Sequence, residues 1–282
     1  MHVFTRKNDL NALLKGEKVK SLALGFVPTM GALHDGHLSL VKKAVSENDL
    51  VVVSIFVNPT QFDNEEDFEK YPENLQQDIR FLETVSEDLM VFAPSKTDIY
   101  DDRIVSRSFD FNGLEKAMEG AFRTGHFDGV ATIVSLLLHI VNPQRAYFGE
   151  KDFQQLQIIK KLVELEGIPC EIIGCPIVRE QNGLAKSSRN ERLSKLAQER
   201  AGFIYQTLQT VKSEFGMKSA STIKNWVINA FNANELLELE YFEIADIETL
   251  TPMTNKQENI KYRAFIAAYV EGIRLIDNIA LN

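Results

Sequence analysis

Two imidazoles three residues apart, His34 and His37, stand in the stretch Met30-Gly31-Ala32-Leu33-His34-Asp35-Gly36-His37. The apolar run Leu22 to Pro28 precedes it and the helix-patterned run Leu38 to Ser46 follows, so the stretch reads as strand, glycine-bearing turn and helix start. A helix N-terminus presents unpaired backbone N–H groups and the positive end of its dipole, and Gly36 removes side-chain bulk between the two rings. Those groups suit a polyphosphate. Two histidines could also be half of a zinc site, but no cysteine or close carboxylate pair completes one, and Asp35 points to N-capping. Nucleotide binding is the favoured reading, and no protein-bound metal is expected.

Four further segments carry groups of the same kind. In Ser54-Ile55-Phe56-Val57-Asn58-Pro59-Thr60-Gln61-Phe62 an apolar strand stops at an Asn-Pro turn, and Gln61 could both donate to and accept from a hydroxy acid. In Tyr147-Phe148-Gly149-Glu150-Lys151-Asp152-Phe153-Gln154-Gln155 a strand again runs into a turn and a helix. A lysine there opposes the helix dipole unless an anion sits beside it. Val178-Arg179-Glu180 and Lys186-Ser187-Ser188-Arg189-Asn190 supply hydroxyls and a guanidinium able to grip phosphate oxygens, with Ser188 or Asn190 alternatively capping the helix that follows. Arg123-Thr124-Gly125-His126-Phe127-Asp128-Gly129 sets another cation and imidazole in a glycine-bounded turn, a weak signal by itself.

These segments need a scaffold that brings strand ends together. Leu22 to Pro28 and Leu50 to Val57 are almost continuously apolar, as parallel strands covered on both faces are, and the helix between them completes a βαβ unit. The alternation continues: helix near Glu73 to Val85, strand near Leu89 to Phe92, helix Val130 to Val141, strand Ala146 to Phe148, helix Asp152 to Glu166, strand Glu171 to Ile173. That order predicts an α/β fold with a Rossmann-like, doubly wound parallel sheet over residues 1–177. Ligands then lie beyond the carboxyl ends of the strands, where Asn58 and Gln61 would stand, and Lys151 would arrive at the same edge as His34 and His37. Tyr100 to Gly113 reads as a connecting segment. Residues 178–282 read as a second, smaller α+β domain, with helices over Glu191 to Phe215 and Ser221 to Asn232 and strands over Leu237 to Ile244 and Tyr262 to Val270.

With 282 residues, 44% of them hydrophobic and 25% charged, the chain can bury the core of two domains. Its net charge of -9 argues against a nucleic-acid partner, because sequence-independent affinity for phosphates needs cations. The start, Met1 to Leu14, has no signal-peptide-like apolar core, and the most lipid-like run, Val130 to Val141, is short and contains His139. A cytoplasmic protein with no membrane partner is expected. Cys170 and Cys175 read as two reduced thiols.

The five segments, in this order and spacing, resemble the pantothenate synthetase family over essentially the whole chain. His34 to His37 resembles its His-x-Gly-His element, Phe56 to Phe62 its Asn-Pro element, and Gly125 to Gly129 its Gly-His-Phe element. Gly149 to Asp152 resembles its Gly-Glu-Lys-Asp element, and Ser187 to Asn190 its Ser-Ser-Arg-Asn element. The first element alone also fits other members of the nucleotidyltransferase superfamily.

The resemblance implies ligation of pantoate to β-alanine through pantoyl adenylate, with ATP as substrate, Mg²⁺ on its phosphates, and AMP and pyrophosphate released. It implies ATP contacts from Met30, Gly31, Ala32, Leu33, His34, Asp35, Gly36 and His37, from Gly149, Glu150, Lys151 and Asp152, and from Val178, Lys186, Ser187, Ser188 and Arg189. Catalytic donors would be His34, His37, Lys151, Ser187 and Arg189; Gln61 and Gln155 would hold pantoate, and His37 could take the proton of the β-alanine amine. A homodimer is implied as well. Lys186 replaces the family's usual methionine and Thr124 its usual proline, and neither change removes a group the chemistry needs.

Overall fold

The computed structural model describes residues 1–16, 21–62, 68–69, 71–100 and 103–282. In chain order the first elements are β1 (His2–Phe4), α1 (Lys7–Leu14), β2 (Leu24–Thr29), α2 (Asp35–Glu47), β3 (Leu50–Ile55) and a 3₁₀ turn, Pro59–Gln61. Next come α3 (Leu75–Glu83), β4 (Met90–Phe92), α4 (Lys96–Tyr100), α5 (Met118–Phe122), α6 (His126–Val141), β5 (Arg145–Gly149), a 3₁₀ turn at Glu150–Asp152, α7 (Phe153–Glu166) and β6 (Glu171–Cys175). Asp101 and Asp102, within the expected connecting segment, lie outside the described residues.

The chain divides into two compact units. The first is Met1–Glu115, Glu119–Glu150 and Gln155–Pro176; the second is Lys116–Met118, Lys151–Gln154 and Ile177–Asn282.

Six parallel strands form the sheet of the first unit in the order β1-β4-β3-β2-β5-β6. The chain winds outward from β2 through β3 and β4 on one side and continues through β5 and β6 on the other, so the winding reverses between β2 and β5. Pro28 helps to open that point. It has no N–H to donate, and while β2 pairs with β3 as far as Thr29, its pairing with β5 stops at Phe26. Val27, Val51, Val53 and Val91 pack with Leu38, Val41 and Ala44 of α2 and Leu82 of α3 in one buried cluster. Helix α6 is buried on nearly all sides, which explains why Val130 to Val141 reads as unusually apolar. No helix among the described residues is long and apolar enough to cross a membrane.

The second unit is built on an antiparallel sheet, β7 (Leu237–Asp246), β8 (Tyr262–Val270) and β9 (Ile273–Ala280), with α8 (Lys195–Ala201), α9 (Phe203–Glu214) and α10 (Ala220–Asn232). Ile204, Leu208 and Val211 of α9 and Val227 and Phe231 of α10 share its core with Phe242, Ile244, Ala264 and Ile266. The single helix expected over Glu191 to Phe215 is instead a 3₁₀ turn, Ser188–Arg192, followed by two helices meeting at Gly202. A Cβ at Gly202 would lie 2.6 Å from the Asn182 carbonyl oxygen, so the chain uses a bare backbone at the corner.

Close packing of α6 sets the position of the Pro59–Gln61 turn. A Cβ on Gly129 would fall 2.0 Å from the Thr60 carbonyl oxygen and 2.9 Å from the Gln61 nitrogen. Gly129→Ala is therefore expected to destabilise the protein by about 1–3 kcal/mol in urea denaturation, as overpacking does. An unchanged midpoint would mean that the turn is not seated against the helix.

Candidate active site

The turn after β2 is held from several directions. Gly31 sits at φ +78°, and a Cβ there would come within 2.9 Å of Asp78 Oδ2 and 3.2 Å of Ile55. Its N–H reaches Thr29 Oγ1, while Asp78, buried at the head of α3, accepts from Ala32 N–H at 3.1 Å and Leu33 N–H at 2.8 Å. Burial pushes the Asp78 carboxyl above the usual aspartate range, against the opposing pull of the two amides. Nothing in the sequence around Asp78 marks it, because a lone aspartate in a helix normally faces water.

Helix α2 is capped by the histidines themselves. His34, with φ -138°, occupies the N-cap position; its Nδ1 accepts the Gly36 N–H at 3.1 Å, and its own N–H donates to His37 Nδ1 at 3.2 Å. The rings lie 4.0 Å apart, centre to centre. Asp35 is thus the first helical residue and not the cap expected from the sequence, because the imidazole nitrogen reaches the orphan amide first.

A nitrogen that accepts cannot carry the proton, so both neutral rings hold it on Nε2. The sequence reading of unpaired turn amides also changes: the N–H groups of Gly31, Ala32, Leu33, His34 and Gly36 all have partners inside the protein.

Gln61 stands at the end of the turn after β3. Its side chain donates to Met30 Sδ and accepts from Asn58 Nδ2 at 3.2 Å. Asn58 is itself buried, donating also to the Gly129 carbonyl at 3.2 Å and accepting from Thr60 Oγ1 and the Tyr100 hydroxyl. The structure thereby brings Gln61 beside Met30 at adjacent strand ends, as the sheet order requires. A cavity of about 330 Å³ at the ends of β2, β3 and β4 is bounded by Met30, Gly31, Phe56, Asp78 and Lys96 among others. Gly149 closes β5 at the same edge of the sheet, and Gln155 lies half-buried in the first turn of α7.

In the second unit, Lys151 lies in the Glu150–Asp152 turn just ahead of α7, with its Nζ 3.9 Å from Asp152 Oδ2. Its carbonyl accepts from Asn278 Nδ2 at 2.8 Å, and Asn278 in turn is bonded by Arg263, whose guanidinium lies 4.0 Å above the Phe153 ring. Strand β9 thus fixes the backbone that carries Lys151.

Val178 and Lys186 face each other across a short hairpin, the Lys186 N–H donating to the Val178 carbonyl at 2.9 Å. Arg179 anchors that hairpin through a two-pronged ion pair with buried Asp277, at 2.6 and 2.9 Å, and by stacking 3.7 Å over Tyr205. The residue that caps the following 3₁₀ turn is Ser187, accepting the Arg189 N–H at 3.3 Å; Ser188 lies inside that turn, and Asn190 turns inward to the Ala185 carbonyl. As an acceptor Ser187 keeps its hydroxyl proton for donation. Lys186 pairs with Glu180 at 3.3 Å.

Among the described residues no group of three or more His, Cys, Asp or Glu could hold a metal ion. Cys170 and Cys175 are buried thiols, pushed by burial to about 12 and about 11, and so stay protonated.

A doubly wound parallel sheet whose strand ends carry paired imidazole donors defines an α/β protein of the nucleotide-binding type. The family model for pantoate-beta-alanine ligase matches residues 2–280, and the chain belongs to that family. Pantothenate synthetases of Christiangramia forsetii and Flavobacterium psychrophilum are 57% and 52% identical to it, with 100% of each chain covered. The crystal structure of pantothenate synthetase from Thermus thermophilus superposes with a TM-score of 0.91 at 39% identity, covering 100% of this chain and 99% of that one. The pantoate-beta-alanine ligase of Francisella tularensis, solved in complex with beta-gamma ATP and beta-alanine, gives 0.81 at 38% identity, covering 100% of this chain and 98% of the other.

The buried Asp78 clamp has a measurable signature. The folded chain takes up the Asp78 proton at higher pH than the unfolded chain, whose value is the ordinary 3.8, so stability from this group rises as pH falls through its folded value. Asp78→Asn cannot titrate. Urea denaturation from about pH 7 to about pH 4 is expected to show the unsubstituted protein gaining stability relative to the variant as pH falls. Parallel pH profiles would mean that Asp78 is not buried as a charge beneath the turn.

Proposed function

We propose that this member of the family joins pantoate to β-alanine in two steps through pantoyl adenylate. In the first, a pantoate carboxylate oxygen attacks the α-phosphorus of ATP and the bond to the leaving pyrophosphate breaks. In the second, the β-alanine amine attacks the acyl carbon, AMP departs with the C–O bond electrons, and the amine loses a proton. Pantothenate remains.

The observation that carries the reading on this chain is the interlocked His34–His37 pair at the head of α2. Carboxylate attack on a phosphate brings two anions together, so the barrier falls mainly through donors and cations fixed where charge concentrates. His34 and His37 supply neutral Nε2–H donors, Lys151 and Arg189 supply charge, and the Ser187 hydroxyl supplies a further donor.

The carboxylate is already ionised near neutral pH, and the first step needs no base. Because Nδ1 of His37 is held by the His34 N–H, this imidazole is arranged to donate; taking up the amine proton would cost the cap. Water is the better acceptor. Gln61 and Gln155 bind pantoate, with the Gln61 amide oriented by Asn58 and Met30. The remaining ATP contacts are those of Met30 to Gly36, Gly149, Glu150, Asp152, Val178, Lys186 and Ser188. Mg²⁺ accompanying ATP would be held mainly by its phosphate oxygens and would supply charge neutralisation there.

The homodimer implied by the sequence resemblance is kept as part of this reading. The net charge of -9 speaks against nucleic acid, and the buried protonated thiols suit a cytoplasmic, reducing setting.

Product analysis with ATP, pantoate and β-alanine, each omitted in turn, tests the reaction. Exchange of pyrophosphate into ATP is expected with pantoate alone, and steady AMP release only when β-alanine is added. ADP and phosphate as products would overturn the adenylate route. Lys151→Ala is expected to stay folded and lose roughly 10²-fold in turnover, as loss of one preorganised donor does; near-normal turnover would remove Lys151 from the reaction.

A further inference from the structure

The turn Arg123 to Gly129 holds a cation and an imidazole that the reaction above does not use. His126 is buried in the first turn of α6, and its Nδ1 lies 2.8 Å from the backbone carbonyl oxygen of Gln61. A carbonyl can only accept, so Nδ1 carries the proton. On the other side of the ring, Nε2 lies 3.0 Å from Arg123 Nη1, and a guanidinium can only donate, so Nε2 is the acceptor. Arg123 thus fixes His126 as the neutral Nδ1–H tautomer and adds its own bond, Nη2 to the same Gln61 carbonyl, at 3.3 Å.

We propose that His126, held in tautomer by Arg123, is a positioning residue for pantoate: it clamps the Gln61 main chain so that the Gln61 amide is presented in one place. The clamp acts with the seating of Gly129 against Thr60 and with the Asn58 bond to the Gln61 side chain. The Pro59–Gln61 turn has only three residues, so a side chain at its end is located no better than the carbonyl of that same residue. This inference rests on the assignment of Gln61 to pantoate.

The test compares steady-state constants of His126→Ala, His126→Asn and Gln61→Ala. Asparagine keeps an N–H donor at the Nδ1 position and so can still reach the carbonyl. His126→Ala is expected to raise the pantoate KM about 5- to 10-fold, the worth of one buried hydrogen bond, with the ATP KM unchanged and kcat within about twofold. His126→Asn is expected to return the pantoate KM to within about twofold of the unsubstituted protein.

A role in folding alone would lower kcat through a smaller active fraction and leave KM values in place. Two results overturn the proposal while leaving Gln61 in the pantoate site: a His126→Ala pantoate KM that stays put while that of Gln61→Ala rises, or equal defects in His126→Ala and His126→Asn. An unchanged pantoate KM in Gln61→Ala overturns the Gln61 assignment itself. Should His126→Ala not fold, Arg123→Met, at a half-buried position, is read in its place: a raised pantoate KM supports the clamp and an unchanged one removes it.

Discussion

The bond from the His34 N–H to His37 Nδ1, returned by the Gly36 N–H to His34 Nδ1, is the constraint on which the functional reading depends. Any good N-cap would satisfy the orphan amides of α2. Using two imidazoles for the task does something more, because it consumes both Nδ1 positions and leaves the protons on Nε2. The pair is then neutral and donating, and it cannot be doubly protonated without losing the cap. In the proposed reaction, positive charge for the polyphosphate therefore has to come from other side chains, the part proposed for Lys151 and Arg189.

Everything near that pair serves to keep strand ends in register. Pro28 ends the pairing of β2 with β5 early, Gly31 lets the turn pass close over Asp78, and Asp78 ties down two amides at the cost of a buried charge. Beside it, Gly129 allows α6 to press on the Pro59–Gln61 turn, and Asn58 orients the Gln61 amide from beneath. In the second unit the same logic recurs with different parts: the Arg179–Asp277 pair locks the hairpin from Val178 to Lys186, and Asn278 holds the backbone of Lys151.

The parallel sheet was legible because its strands are apolar on both faces and separated by helices of ordinary length. The short edge strand β1 was not: three residues, mostly exposed, carry no periodicity. Strand β9 was also missed, although Glu271-Gly272 after the run Tyr262 to Val270 is a two-residue hairpin signal. Among the candidate site residues, the histidines and the serine–arginine loop stood out by type and spacing, while Gln61 was singled out by its place at a strand end and by the family resemblance. Asp78, Asn278 and Arg263 did not, since each acts on a group distant in sequence. Arg123 and His126 were visible as residues, but their target, the Gln61 carbonyl, is a main-chain atom that no sequence pattern reveals.

Nitrogen-15 NMR of the histidine side chains reads out whether the cap fixes both imidazoles as Nε2–H donors. His34 and His37 are each expected to show an unprotonated, pyridine-like Nδ1 and a protonated, pyrrole-like Nε2 near neutral pH. Pyrrole-like Nδ1 signals from either ring, or rapid exchange between tautomers, would contradict it.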